Sequence, residues 1–148
     1  MISKGTEYAI RALVYIDIQN KKGERPGFRE ISREIESPEQ FTAKILQTLT
    51  RHGLINSMKG RGGGFFFNDP DKVLTLHEVV KALEGEQFFD KCIFGFKNCD
   101  HENSCPLHDD FIKIWEDFKD LLKRETIQSL AEKIEKEEAV LNRLNINK

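Results

Sequence analysis

Cys92, Cys99 and Cys105, the only cysteines of the chain, fall within fourteen residues, and His108 follows the last by about one helical turn. The thiolate is the metal-binding form of cysteine, so three soft sulfur donors and an imidazole in one loop are a donor set for a soft metal ion or an iron–sulfur centre. Structural core thiols would be scattered, and an odd count argues against a disulfide framework. Roughly thirty residues upstream, Lys59-Gly60-Arg61-Gly62-Gly63-Gly64 sets two cations among four glycines. Glycines let a backbone turn tightly and approach another molecule, and an arginine on such a tip suits the negative potential of a narrow minor groove.

Composition bounds the alternatives. The formal net charge of -2 conceals an asymmetry: residues 1–64 hold eleven Lys and Arg against seven Asp and Glu, and residues 65–148 hold twelve against eighteen. The first half is therefore the part suited to a polyanion. No run of eighteen apolar residues occurs, and Met1 to Glu7 lacks the apolar region of a signal peptide, so we expect a cytoplasmic protein with no membrane partner. No phosphate-binding loop, Ser-His-acid constellation or paired-carboxylate motif is present, which argues against an enzyme.

These groups must be held by local elements. Ala9, Ala12, Leu13 and Ile16 predict an amphipathic helix from about Thr6 to Ile18. After the polar segment Gln19 to Gly27, Ile31 and Ile35 mark a short helix beginning near Phe28, and Glu36-Ser37-Pro38 is the turn of a helix-turn-helix. Ser37-Pro38-Glu39-Gln40 reads as an N-cap serine, a first-turn proline and a glutamine at the third position, a capping box. Phe41, Ile45, Leu46 and Leu49 form the expected inner stripe of that helix. Gln40, Thr42, Ala43, Lys44, Gln47, Thr48 and Arg51 are left outward, a face of amides, small residues and cations suited to base edges and phosphates. Its DNA-contact candidates are Ser37, Gln40, Thr42, Lys44 and Gln47, joined by Lys59, Arg61, Gly62 and Gly63 of the wing.

Gly53-Leu54 reads as a glycine C-cap, followed by strands Leu54 to Met58 and Phe65 to Asn68, with Phe65, Phe66 and Phe67 mostly in the core. Thr75-Leu76-His77-Glu78 is a second capping box, opening a helix on Leu76, Val79, Val80 and Leu83 that Gly85 stops; His77 is expected at the surface. Pro106 opens the next helix, on which Leu107, Phe111, Ile114, Phe118 and Leu121 recur in alternating steps of four and three, with Trp115 and Leu122 widening the stripe. So large a stripe calls for a partner, and a homodimer would present two wings to a pseudo-palindromic duplex. A last helix, Thr126 to Ile134, turns Ile127, Leu130 and Ile134 inward, and the charged tail Glu135 to Lys148 is expected to fray. The expected fold is mainly α with a small β-hairpin: a winged helix-turn-helix domain over 1–84, a cluster-binding loop over 85–106, and a dimerisation helix with a C-terminal helix and tail over 107–148.

With Ser3-Lys4-Gly5, Tyr8-Ala9, Ala43-Lys44-Ile45-Leu46-Gln47, Gly53-Leu54, Ser57 to Phe65 and Cys105-Pro-Leu-His108, nearly the whole chain resembles the IscR and NsrR type of bacterial winged-helix regulators. The resemblance implies a DNA-binding repressor with Cys92, Cys99, Cys105 and His108 as ligands of a two-iron, two-sulfur cluster. Six residues separate Cys92 from Cys99, a longer spacing than in the IscR branch, and in the NsrR branch an acid from the other subunit can complete a four-iron cluster. Glu7 is then the alternative fourth ligand, with Asp100 and His101 inside the loop as further candidates. Two other readings stay open: a winged-helix regulator based on zinc or on thiols, and an iron–sulfur carrier protein.

Overall fold

The computed structural model describes residues 1–146. Six α-helices, a two-stranded antiparallel hairpin and one turn of 3-10 helix follow in the order α1 (Lys4–Lys21), α2 (Phe28–Glu34), α3 (Glu39–Arg51), β1 (Asn56–Met58), β2 (Gly64–Phe66), α4 (Leu76–Glu84), the 3-10 turn (Glu86–Asp90), α5 (His108–Arg124) and α6 (Ile127–Glu135). This is a winged helix-turn-helix with a long helix behind it.

Helix α1 is the axis of the core. Ser3 caps it, its hydroxyl accepting from the Thr6 amide at 3.2 Å, so the helix starts ahead of the expected Thr6 and runs past Ile18 to Lys21. Ala9, Ala12, Leu13 and Ile16 are fully buried, and α2, α3, α4, α6 and β2 all pack on it. The small alanines allow that close approach of backbones. Helix α6 supplies Ile127 and Ala131 to the same core, so one hydrophobic cluster runs from α1 to α6.

The helix-turn-helix departs from the expected phase. Ser37 donates its amide to the Ser32 carbonyl at 3.0 Å, while the buried Ser32 hydroxyl bonds the Ser37 carbonyl at 2.6 Å. This double link closes the turn and buries Ser37, so Pro38 is the N-cap, with no side-chain cap, and the capping box does not form. Thr42 is buried and Phe41 stands at the rim, 38% exposed, edge-on to Tyr8 with ring centroids 5.6 Å apart. Burial of the Thr42 hydroxyl is inexpensive because it donates to the Pro38 carbonyl at 2.9 Å. At the other end, Gly53 takes φ +73° and the Leu54 amide reaches the Leu49 carbonyl at 3.0 Å, the glycine closure that the sequence predicts.

The strands are shorter than expected, pairing Asn56 with Phe66, Ser57 with Phe65 and Met58 with Gly64. Thr75 caps α4, accepting from the Glu78 amide at 3.1 Å, and Gly85 ends it at φ +89°. His77 is half-buried, stacked on Phe89 at 4.3 Å, and not simply a surface residue; burial, then the nearby Lys123 and Lys81, lower its pKa.

On α5 the expected seam divides. Trp115 is buried within its own chain, 3% exposed, among Phe88, Phe111 and Phe118, and Leu122 is buried with it. Leu107, Ile114 and Leu121 stay 45%, 60% and 38% exposed at a spacing of seven, one narrow stripe along α5. Trp115 therefore belongs to the core and not to an interface, and Phe111 and Phe118 are half-buried against that core.

The tail does not fray over the described residues. Leu141 packs on the core, and the Asn142 amide donates to the Glu34 carbonyl at 2.8 Å, closing the last turn of α2. Asn147 and Lys148, which share that expectation, lie outside the described residues.

Candidate nucleic-acid interface and cysteine site

Of the outward face expected on α3, Gln40, Lys44, Gln47 and Arg51 are exposed and Ala43 and Thr48 half-buried, with Glu39 and Phe41 exposed beside them in the first turn; Ser37 and Thr42, expected among the DNA contacts, are buried by the turn geometry. Between α3 and the hairpin runs a groove of about 630 Å³ bordered by Gln47, Arg51, Ser57, Lys59 and Gly60. Beside the apolar Phe28, Met58 and Phe65, its walls carry an amide, hydroxyls and cations and no carboxylate, the chemistry that meets base edges and phosphates.

Lys59, Arg61 and Gly62 are exposed at the tip. Two of the glycines, however, answer to the protein's own backbone. A Cβ on Gly63 would lie 2.1 Å from the Met58 carbonyl oxygen, and one on Gly64, at φ +141°, would lie 2.1 Å from that of Arg25. Gly64 brings the hairpin against the α1–α2 connection, where the Phe65 amide donates to the Pro26 carbonyl at 2.9 Å. Sequence reasoning passed over Arg25, whose guanidinium lies over the Phe66 ring at 4.1 Å, because it stands in a polar connection with no motif around it.

Of the four expected ligands, Cys99 and His108 are in contact, and Cys92 and Cys105 lie near enough to act on Cys99 through their charge. The 3-10 turn after Gly85 leads directly to Cys92, and α5 begins at His108, with Cys105 in the turn before it, the His108 amide bonding the Cys105 carbonyl at 3.1 Å. Burial disfavours the Cys92 thiolate, but the nearby amides of Phe96, Phe94 and Gly95 and the Cys105 thiol favour it, and together they bring its pKa below the ordinary value. Burial and the neighbouring Cys92 and Cys105 push Cys99 the other way. The Cys99 sulfur is 3.4 Å from His108 Nδ1, and His108 Nε2 is 3.0 Å from His101 Nδ1.

Asp100 is occupied within the loop, bonded by the Asn103 side chain and the amides of Glu102 and Asn103, contacts that lower its pKa. Glu7 stands exposed on α1, 3.6 Å from Lys4. Among the described residues no three His, Cys, Asp or Glu side chains already surround a single-ion position. The donor contacts are pairwise, the Cys99 sulfur with His108 and His108 with His101. As chemistry, three thiols and an imidazole in one segment fit a soft metal or an iron–sulfur centre.

The family model Rrf2, described as an iron-dependent transcriptional regulator, matches residues 2–133. The chain belongs to the Rrf2 family. Membership makes it a transcription regulator and not an enzyme. Among its relatives, Protein aau3 of Rhizobium meliloti is 35% identical over 130 residues, 87% of this chain and 83% of the relative. The transcriptional repressor NsrR of Streptomyces coelicolor is 27% identical over 106 residues, 72% of this chain and 67% of its own. Two solved structures share the Rrf2 fold: CymR, the global cysteine regulator of B. subtilis, with TM-score 0.72 and 19% identity over 89% of this chain and 96% of that one, and T. potens IscR, with TM-score 0.70 and 16% identity over 95% and 92%. No helix among the described residues is long and apolar enough to cross a membrane.

Proposed function

We propose that the protein is a cytoplasmic, homodimeric Rrf2 repressor that binds double-stranded promoter DNA through α3 and the wing and senses iron–sulfur, redox or nitric oxide status at a cluster held by Cys92, Cys99, Cys105 and His108. The observation that carries the reading is the contact of Cys99 with His108 at the start of α5, with Cys92 and Cys105 nearby, on the helix whose exposed stripe of Leu107, Ile114 and Leu121 would face a second copy. Gln40, Lys44 and Gln47 supply the major-groove contacts, and Lys59, Arg61 and Gly62 enter the minor groove. Phe111 and Phe118, half-buried, border the dimer stripe. A two-iron, two-sulfur centre suits a ligand set drawn from one chain, whereas a four-iron centre with Glu7 from a second copy would require Glu7 to leave Lys4.

A bound cluster would supply a redox- and nitric-oxide-reactive centre. The chain's own part is mechanical and electrostatic. The nearby amides of Phe94, Gly95 and Phe96 favour the Cys92 thiolate, and the first turn of α5 offers Cys105 and His108 its positive dipole end. Because α5 and the 3-10 turn meet through Trp115 and Phe89, the order of the loop and the placement of α5 are linked. Any change in DNA affinity must equal the differential free energy of the site in the two conformations; a bias of about one to three kcal/mol gives about 5- to 150-fold.

A second reading, a regulator that works through thiols or zinc, is favoured by the mutual proximity of the three free cysteines, each close enough to influence the others electrostatically. Anaerobic purification followed by visible absorption, iron, sulfide and zinc analysis and promoter binding separates the two. Brown protein with sulfide supports the cluster; colourless protein carrying zinc or a reducible Cys92–Cys105 disulfide supports the alternative. Absence of DNA binding in every state would remove both and leave a carrier.

A further inference from the structure

Arg25 belongs to the connection between α1 and α2, yet its side chain lies on the wing. Its guanidinium carbon is 4.1 Å from the centre of the Phe66 ring, and Nη1 is 3.3 Å from the Met58 sulfur. The register of the hairpin puts Asn56, Met58 and Phe66 on one face and Ser57 and Phe65 on the other. Phe65 packs against the core, so the face under Arg25 is the outer one. The backbone is fastened too: the Phe65 amide bonds the Pro26 carbonyl, and Gly64 leaves no room for a Cβ beside the Arg25 carbonyl. Residues 25 and 26 thus form a unit with the hairpin.

Apart from the cation–π contact with Phe66, the charge on Arg25 has no partner within the described residues. The side chain is exposed, and no carboxylate among the described residues forms an ion pair with it. Its one polar contact is to a thioether, a weak acceptor that leaves most of the five guanidinium N–H donors free. Packing on Phe66 restricts the long side chain, so less rotamer freedom is lost when those donors meet an anion. Lys59 and Arg61 project from the tip of the same hairpin, one and three residues beyond Met58. The three cations share one rigid body and one sign.

We propose that Arg25 is a third cationic contact of the wing, binding a backbone phosphate beside the groove that Arg61 enters. The inference rests on the reading that the wing binds duplex DNA. The alternative is a brace, in which Arg25 only stiffens the hairpin.

The test uses the full-length protein and a labelled mixed-sequence duplex of about thirty base pairs, titrated across a potassium chloride series. Arg25→Met keeps an unbranched apolar stem over Phe66 and removes the charge; Arg25→Gln is its polar counterpart. If Arg25 binds a phosphate, both variants reduce the slope of log K against log salt by about 0.9 for each phosphate no longer neutralised, with similar weakening on unrelated sequences. A wild-type slope and affinity in Arg25→Met overturns the proposal, whatever happens to its melting temperature. Failure of the underlying reading looks different: wild-type protein shows no salt-dependent binding, and Arg61→Ala changes nothing.

Discussion

The indole Nε1 of Trp115 donates to the carbonyl of Phe89 at 2.8 Å, tying the middle of α5 to the segment that enters the cysteine loop. Trp115→Phe keeps the ring stacking on Phe111 and Phe118 but leaves that carbonyl without its partner. The loss of one hydrogen bond at this half-buried carbonyl costs about 0.5–1.5 kcal/mol, to be read as a lower midpoint in urea unfolding. Sedimentation should be unchanged, because Trp115 faces its own core.

The opposite behaviour is expected at Ile114, which is 60% exposed in the centre of the α5 stripe. Ile114→Asp places a charge where a second copy would have to desolvate it, at a cost of several kcal/mol to association. The variant should sediment as a monomer with a near-native circular dichroism spectrum and weakened DNA binding. A stable dimer of this variant would move the interface off α5.

Acid stability should depend on Glu84. Its carboxylate accepts from the Ser3 amide at 2.8 Å and the Thr6 hydroxyl at 2.7 Å, joining the end of α4 to the start of α1. Burial raises its pKa, but these hydrogen bonds outweigh burial, so the folded value lies below the ordinary 4.5. A depressed carboxyl contributes stability above its unfolded pKa and loses it as pH falls through the folded one. Unfolding midpoints of the wild type should therefore drop below about pH 4.5, while Glu84→Gln should start lower at neutral pH and lose less on acidification.

Asn142→Ala removes the side chain that closes α2 on the Glu34 carbonyl. A loss of about 0.5–1.5 kcal/mol is expected from one hydrogen bond, with faster amide exchange at the end of α2 as the local signature. Unchanged exchange there would mean that the tail lies elsewhere in solution.

Cys99→Ala should abolish visible absorption in anaerobically prepared protein and leave dimerisation intact, since the α5 stripe includes no metal ligand. A brown Cys99→Ala variant would refute that ligand assignment.

Much of this architecture was legible in the chain because its signals are local. Gly53-Leu54 closes α3 through contacts five residues apart, Gly85 ends α4, and the thiols and His108 fall on one short loop whatever the rest does. Those outcomes depend on backbone conformation and spacing, which neighbouring residues determine by themselves. The tertiary structure decided the questions in which two residues compete for one place. Phe41 and Thr42 both border the apolar stripe of α3, and only the paired bonds of Ser32 with Ser37, together with the ring of Tyr8, put Thr42 in and Phe41 out. Periodicity announces a wide stripe on α5 but not that Trp115 and Leu122 turn to α4 and the 3-10 turn while Leu107, Ile114 and Leu121 stay open. Nothing around Arg25 marks it either, for its aromatic support lies 41 residues further along the chain, at Phe66. Local propensity acts over a few residues, whereas burial is settled by surfaces that meet only when distant segments pack.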